Sequence, residues 1–113
     1  MHRKVLEALM EVSRIGVLGA GQMGAGIAQV ASCSGYSVTM VDIDENAVER
    51  GMDSIRLSLQ RIVSKGRMEL KDSQAAMELI TRSTNRSDLS ECDLIVEAIP
   101  EILQLKLDTF SEL

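Results

Sequence analysis

Residues 14–42 read RIGVLGAGQMGAGIAQVASCSGYSVTMVD, and the fold turns on this stretch. It sets a Gly-x-Gly-x-x-Gly turn between an apolar strand and a helix of small residues, then closes on an acid at the end of a second strand. Each glycine has its own physical task. Gly19 permits the tight turn out of the strand, and Gly21 lets the backbone approach a pyrophosphate with no Cβ in the way. Gly24 lets the new helix pack closely on the strand. The helix N-terminus then offers unpaired N–H groups and a positive dipole end to the phosphates. A glycine triplet alone is weak evidence. The strand before it, the helix after it and Asp42, eighteen residues beyond Gly24, supply the context that a dinucleotide site requires.

Asp42 ends the run SVTMVD, so its carboxylate is expected at the tip of the second strand, beside the turn. There it can accept hydrogen bonds from the adenosine ribose hydroxyls. A 2′-phosphate in that place would meet a like charge, and Ile43 brings no cation to offset it. NAD is therefore favoured over NADP. The plainer role for Asp42 is to cap the next helix, but Asp44 is the better cap candidate.

Outward from this core, the chain alternates. A strand is expected over 14–18 and a helix from Gln22, with Met23, Ile27, Val30 and Ala31 on its buried face. Gly26 reads as a further close-packing position and Gly35 as the helix stop. A second strand covers about 37–41, and a long helix about 45–65, ending at Gly66. Val48, Met52, Ile55, Leu59 and Ile62 form one apolar stripe along it. Ser54, Ser58, Arg61 and Lys65 form a polar seam beside that stripe, an ordinary solvated face on pattern alone. A shorter helix (71–79) and a weak strand (80–84) follow. DLIVEAI (93–99) reads as a strand buried on both faces and ended by Pro100. Residues 101–113 read as a helix with Leu103, Leu107 and Phe110 inward. The alternation predicts an α/β, Rossmann-type doubly wound parallel sheet. The first strand is central, the second and third lie on one side and DLIVEAI on the other. Only the first four strands of such a sheet are present, so DLIVEAI is left as an apolar edge, and the chain reads as the first part of something longer.

Composition sets the bounds. With 113 residues the chain is one domain at most. It is 45% apolar yet only 2% aromatic, so the core must be built from Val, Ile, Leu, Met and Ala. A net charge of −5 argues against a nucleic-acid partner, and no apolar run is long enough to span a membrane. Residues 1–13 read as a leader or short helix; Glu7 and Glu11 argue against a secretory or transit signal. Cys33 and Cys92 lie far apart and His2 is the only histidine, so no metal site is expected. Reduced thiols suit a cytoplasmic setting.

Three stretches together give a resemblance: GVLGAGQMGAGIAQVAS, the GYSVTMVDID run with its long helix, and DLIVEAIPEILQLKLDTFSEL. They resemble the N-terminal NAD-binding portion of the L-3-hydroxyacyl-CoA dehydrogenases, including bacterial 3-hydroxybutyryl-CoA dehydrogenases, and cover nearly everything after Ser13. The resemblance implies an NAD-binding domain over 14–113, with a catalytic and dimerisation domain beyond it. It implies that Gly19, Ala20, Gly21, Gln22, Met23 and Gly24 hold the pyrophosphate and Asp42 the ribose. Ala98, Glu101 and Lys106 match positions beside the cofactor, the last two at its nicotinamide half. Ser58 and Lys65 match positions that contact the coenzyme A part of an acyl-CoA substrate.

In that family the catalytic serine, the histidine–glutamate pair and a substrate-orienting asparagine lie beyond the matched region. The chain by itself is therefore expected to bind NAD without turning over substrate, for want of a group to take the hydroxyl proton. Two other readings remain open: a non-catalytic NAD(H)-binding module or partner subunit, and another hydroxy-acid dehydrogenase.

Overall fold

The computed structural model describes residues 11–99 and the backbone of residues 102–107. Strand β1 (Arg14–Leu18) leads into helix α1 (Gln22–Cys33), strand β2 (Ser37–Val41) and the long helix α2 (Glu45–Ser64). Helix α3 (Leu70–Glu78), strand β3 (Ile80–Ser83), a 3-10 turn (Arg86–Glu91), strand β4 (Leu94–Ile99) and strand β5 (Ile102–Leu107) follow. In space the strands run β3-β2-β1-β4-β5. The first four are parallel, with Val17 opposite Met40 on one side and Val96 on the other. This is the expected Rossmann-type α/β order, with β1 at its centre.

The last strand departs from expectation. Residues 102–107 do not form a helix; they run back antiparallel to β4, with Ile99 paired to Ile102 and Leu94 to Leu107. The sequence ILQLKL fits both periods. Leu103 and Leu107 suit a helical face, but Leu103, Leu105 and Leu107 also alternate with Gln104 and Lys106 as in a strand. The outer edge of β4 offers a row of unpaired amides and carbonyls, and that edge selects the strand. Hence β4 is not the exposed edge anticipated for it. Residues 1–10, with most of the anticipated leader, and Pro100, Glu101 and Phe110 lie outside the described residues.

One face of the sheet carries the main core. Val17, Ala28, Met40, Val38, Ile55 and Leu59 are all 2% exposed or less there. Helix α2 buries the anticipated stripe of Val48, Met52, Ile55 and Leu59, with Ile62 partly buried at its end. Helix α1 uses the anticipated face only in part: Ala31 is buried and Ile27 partly buried. It buries Gly24, Ala25, Ala28, Ala31 and Ser32, while Met23 and Val30 are 38% and 69% exposed. Small residues win because they let the helix sit close to the sheet, where a Met or Val would hold it off. Gly26 is likewise no packing glycine: a Cβ there would meet nothing within 4 Å.

The opposite face is covered more lightly. Leu89 and Cys92, from the 3-10 turn and its end, pack with Val41 against partly buried Leu18 and Ile95. Gly16 makes room for them, since a Cβ on it would lie 2.7 Å from Leu89 Cδ2. At the amino ends of the strands, the Asp93 carboxylate accepts hydrogen bonds from the Ser13 N–H, the Arg14 N–H and the Ser13 hydroxyl. These bonds pull its pKa below the ordinary carboxylate value.

Candidate functional site

Parallel strands end together, and the site lies at their carboxyl ends where β1 and β4 diverge into different connections. The turn after β1 is held from several sides. Gly19 has φ +112°, a region open to glycine, and its N–H donates to the Val41 carbonyl at 2.7 Å. A Cβ on Gly19 would lie 2.5 Å from the Ala98 carbonyl of β4. A Cβ on Gly24 would run into the Gly19 carbonyl, so the first and third glycines of the motif pack on one another. Gly21 differs: nothing lies within 4 Å of a Cβ placed on it. That side of the turn is open.

Gly21 is also the N-cap of α1, and it brings no capping side chain. The first bond of the helix runs from the Ala25 N–H to the Gly21 carbonyl. The amides of Gln22, Met23 and Gly24 consequently have no carbonyl within the helix to bind. With no acid in the first turn, such an end suits an anionic ligand. A cavity of about 570 Å³ opens there, lined by Gly19, Gly21, Gln22, Met23, Gly24, Asp42, Ala47 and Ala98. Its volume is in the range of small-molecule sites, roughly 300–1,000 Å³. Ala47, from the first turn of α2, carries no signal of its own in the sequence; only the tertiary fold brings it to the cavity.

Asp42 does more than face the cavity. One carboxylate oxygen accepts the Ala20 N–H at 3.0 Å and the other the Asp44 N–H at 3.0 Å. Asp44 in turn caps α2 by accepting the Asn46 N–H at 2.9 Å. The acid thus ties the glycine turn to the start of α2. Each oxygen keeps a lone pair for a further donor such as a sugar hydroxyl.

Beside this cavity, α1 and α2 enclose a groove lined among others by Gln22, Gln29, Arg50, Ser54, Ser58 and Arg61. Ser58 is half-buried and accepts a hydrogen bond from the Gln29 side-chain amide at 2.9 Å. Lys65 is the exposed C-cap residue of α2, not a lining residue of the groove. The cations that do line it are Arg50 and Arg61. Lys106 lies on β5, with its backbone opposite Ile95. Glu101 falls outside the described residues.

Residues 14–113 match the sequence family described as 3-hydroxyacyl-CoA dehydrogenase, NAD binding domain. A 3-hydroxybutyryl-CoA dehydrogenase of Mycobacterium tuberculosis is 39% identical over 102 residues, which is 90% of this chain and 36% of that protein. A probable 3-hydroxybutyryl-CoA dehydrogenase of Deinococcus radiodurans is 43% identical over 101 residues, 88% of this chain and 36% of that protein. Among solved structures, the (S)-3-hydroxybutyryl-CoA dehydrogenase of Ralstonia eutropha superimposes with a TM-score of 0.78 at 37% identity. The overlap covers 80% of this chain and 32% of that one. The chain thus spans about a third of the length of these relatives.

Proposed function

The chain belongs to the 3-hydroxyacyl-CoA dehydrogenase family as its NAD-binding domain, and from that premise we propose that it is the cofactor half of an enzyme oxidising an L-3-hydroxyacyl-CoA to the 3-oxoacyl-CoA. The observation that carries this reading is the cavity at the carboxyl ends of β1 and β4, with free helix amides on one wall and Asp42 on another. When bound there, NAD supplies the hydride acceptor. Gly21, Gln22, Met23 and Gly24 offer N–H groups to the pyrophosphate, and Asp42 accepts from the adenosine ribose. Gly19 and Ala20 shape the turn between them. Ala98 walls the cavity on the β4 side. Glu101 and Lys106 are assigned to the nicotinamide end by resemblance alone.

The groove between α1 and α2 is the proposed seat for the coenzyme A part of the substrate, with Ser58 as a hydroxyl ligand. Arg50 and Arg61 are better placed than Lys65 to meet a phosphate inside it. Lys65 then serves the same anion from the end of the helix. The group that takes the hydroxyl proton is assigned to the part of the relatives that this chain does not span. The setting proposed is the cytoplasm. Two free cysteines support a reducing compartment, and no described helix is long and apolar enough to cross a membrane.

Calorimetric titration of the chain with NADH, and with NADPH in parallel, tests the cofactor site. NADH is expected to bind the more tightly, by at least about tenfold, because a 2′-phosphate would face the Asp42 carboxylate. Equal affinities would remove Asp42 from the ribose. Asp42→Ala is expected to weaken NADH itself by about ten- to a hundredfold, since it also releases the Ala20 and Asp44 amides. A variant that merely lost the preference while keeping its NADH affinity would show that these ties do not shape the site.

A further inference from the structure

Gly51 lies in the second turn of α2, outside the glycine motif, and is buried. A Cβ on it would lie 2.7 Å from the Ala20 carbonyl oxygen, 3.1 Å from Met40 Cε and 3.3 Å from Ala20 Cβ. The Met40 methyl is the end of a flexible chain and can move. The Ala20 carbonyl cannot move alone, because it belongs to a planar trans peptide whose other polar group is the Gly21 N–H. With the carbonyl set against α2, that N–H points away from α2. Any push on the oxygen rotates the amide with it.

The other end of Ala20 is already fixed, since its own N–H is held by Asp42 at 3.0 Å. Rotation of the Ala20–Gly21 peptide is therefore limited by two contacts, the Asp42 carboxylate before it and the bare backbone of Gly51 behind it. From this geometry we propose that Gly51 is a positioning residue for the cofactor site: a side-chain-free seat that sets the direction of the Gly21 N–H. This rests on the reading of the glycine turn as the pyrophosphate seat.

Gly51→Ala separates positioning from folding, because alanine improves helix propensity at this place while its methyl crowds the Ala20 carbonyl. The ligands are ADP-ribose, which carries the pyrophosphate, and adenosine, which lacks it, both titrated by NMR on the whole chain. Gly51→Ala should lose about tenfold in ADP-ribose affinity, a typical consequence of an overpacked contact, with adenosine binding unchanged. Equal ADP-ribose affinity in the variant and the parent overturns the seat alone. Equal losses for both ligands also overturn it, since they would report general loosening. Failure of the parent to bind ADP-ribose overturns the reading of the turn, and the seat with it. Should Gly51→Ala not fold, the parent decides. Its Gly21 amide resonance must shift on adding ADP-ribose and hold still on adding adenosine, and any other pattern rejects the proposal.

Discussion

The two faces of the sheet are built on different scales. One is covered by α1, α2 and α3, and its central side chains, Val17, Val38, Met40, Ile55 and Leu59, are all but sealed from water. The other is covered, among the described residues, by one 3-10 turn that brings Leu89 and Cys92 onto Val41. Yet the site needs both. Gly19 is hydrogen-bonded to Val41 at the end of β2, while α1 supplies helix amides and α2 begins at Asp44, the cap tied to Asp42. The three-helix face supplies most of the buried apolar area, and the lighter face only has to keep β1, β2 and β4 level with each other.

Core truncation gives the largest expected contrast. Ile55→Ala empties space among rigid neighbours and should cost about 4 kcal/mol, lowering the melting temperature by roughly 15 °C or more. Leu89→Ala lies under a short turn that can settle into the gap, and should cost about 2 kcal/mol. Thermal unfolding of the two variants checks this. Equal losses would mean that the lighter face is as tightly specified as the other.

Adding a methyl sharpens the same contrast. In Gly24→Ala the new Cβ meets the Gly19 carbonyl, which is backbone, whereas in Gly16→Ala it meets Leu89 Cδ2 and Cys92 Sγ, which are side-chain ends. Overpacking costs of about 3 kcal/mol and about 1 kcal/mol are expected respectively. NADH binding should be lost in the first and kept in the second. If Gly16→Ala also abolished NADH binding in a folded protein, the two faces would be mechanically continuous at β1.

What the sequence made legible follows from how local each feature is. The glycine turn, Asp42, the Asp44 cap and the stripe of α2 are each written within a few residues, and each stands where it was expected. The buried face of α1 was legible only at Ala31 and, in part, at Ile27. Counting apolar residues favoured Met23 and Val30, but contact distance to the sheet favoured Gly24, Ala25 and Ala28. The same limit explains the glycines. Gly26 stands beside the motif but a Cβ on it would meet nothing within 4 Å, whereas Gly51 is remote in sequence and a Cβ on it would meet the turn. Strand β5 is not legible in the sequence because Leu103 and Leu107 satisfy two periods, and only pairing with the edge of β4 decides between them. Within the site, Ala47 and Arg50 come from tertiary placement that no spacing encodes, whereas Arg61 stands in the polar seam of α2 with Ser54 and Ser58.

The smallest effect concerns a contact that belongs to neither face. Asp93 ties the start of β4 to the start of β1 by accepting the Ser13 and Arg14 amides at 3.0 Å each, and its own N–H donates to the Arg14 carbonyl at 2.8 Å. Its pKa in the folded chain is lowered, by the Ser13 amide first and the Arg14 amide next. The unfolded value is about 3.9. A group depressed on folding contributes stability that is present above its unfolded pKa and is lost as pH falls through its folded pKa. The melting temperature should therefore carry a component that holds from neutral pH down to about 4 and disappears below it. Asp93 is partly exposed and solvent screens it, so that component is small. Asp93→Asn keeps an oxygen acceptor but no charge. It should melt slightly below the parent at pH 7, and the two curves should converge as pH falls through the lowered folded pKa. A constant gap from pH 7 to pH 2 would show that shape, not charge, makes this tie.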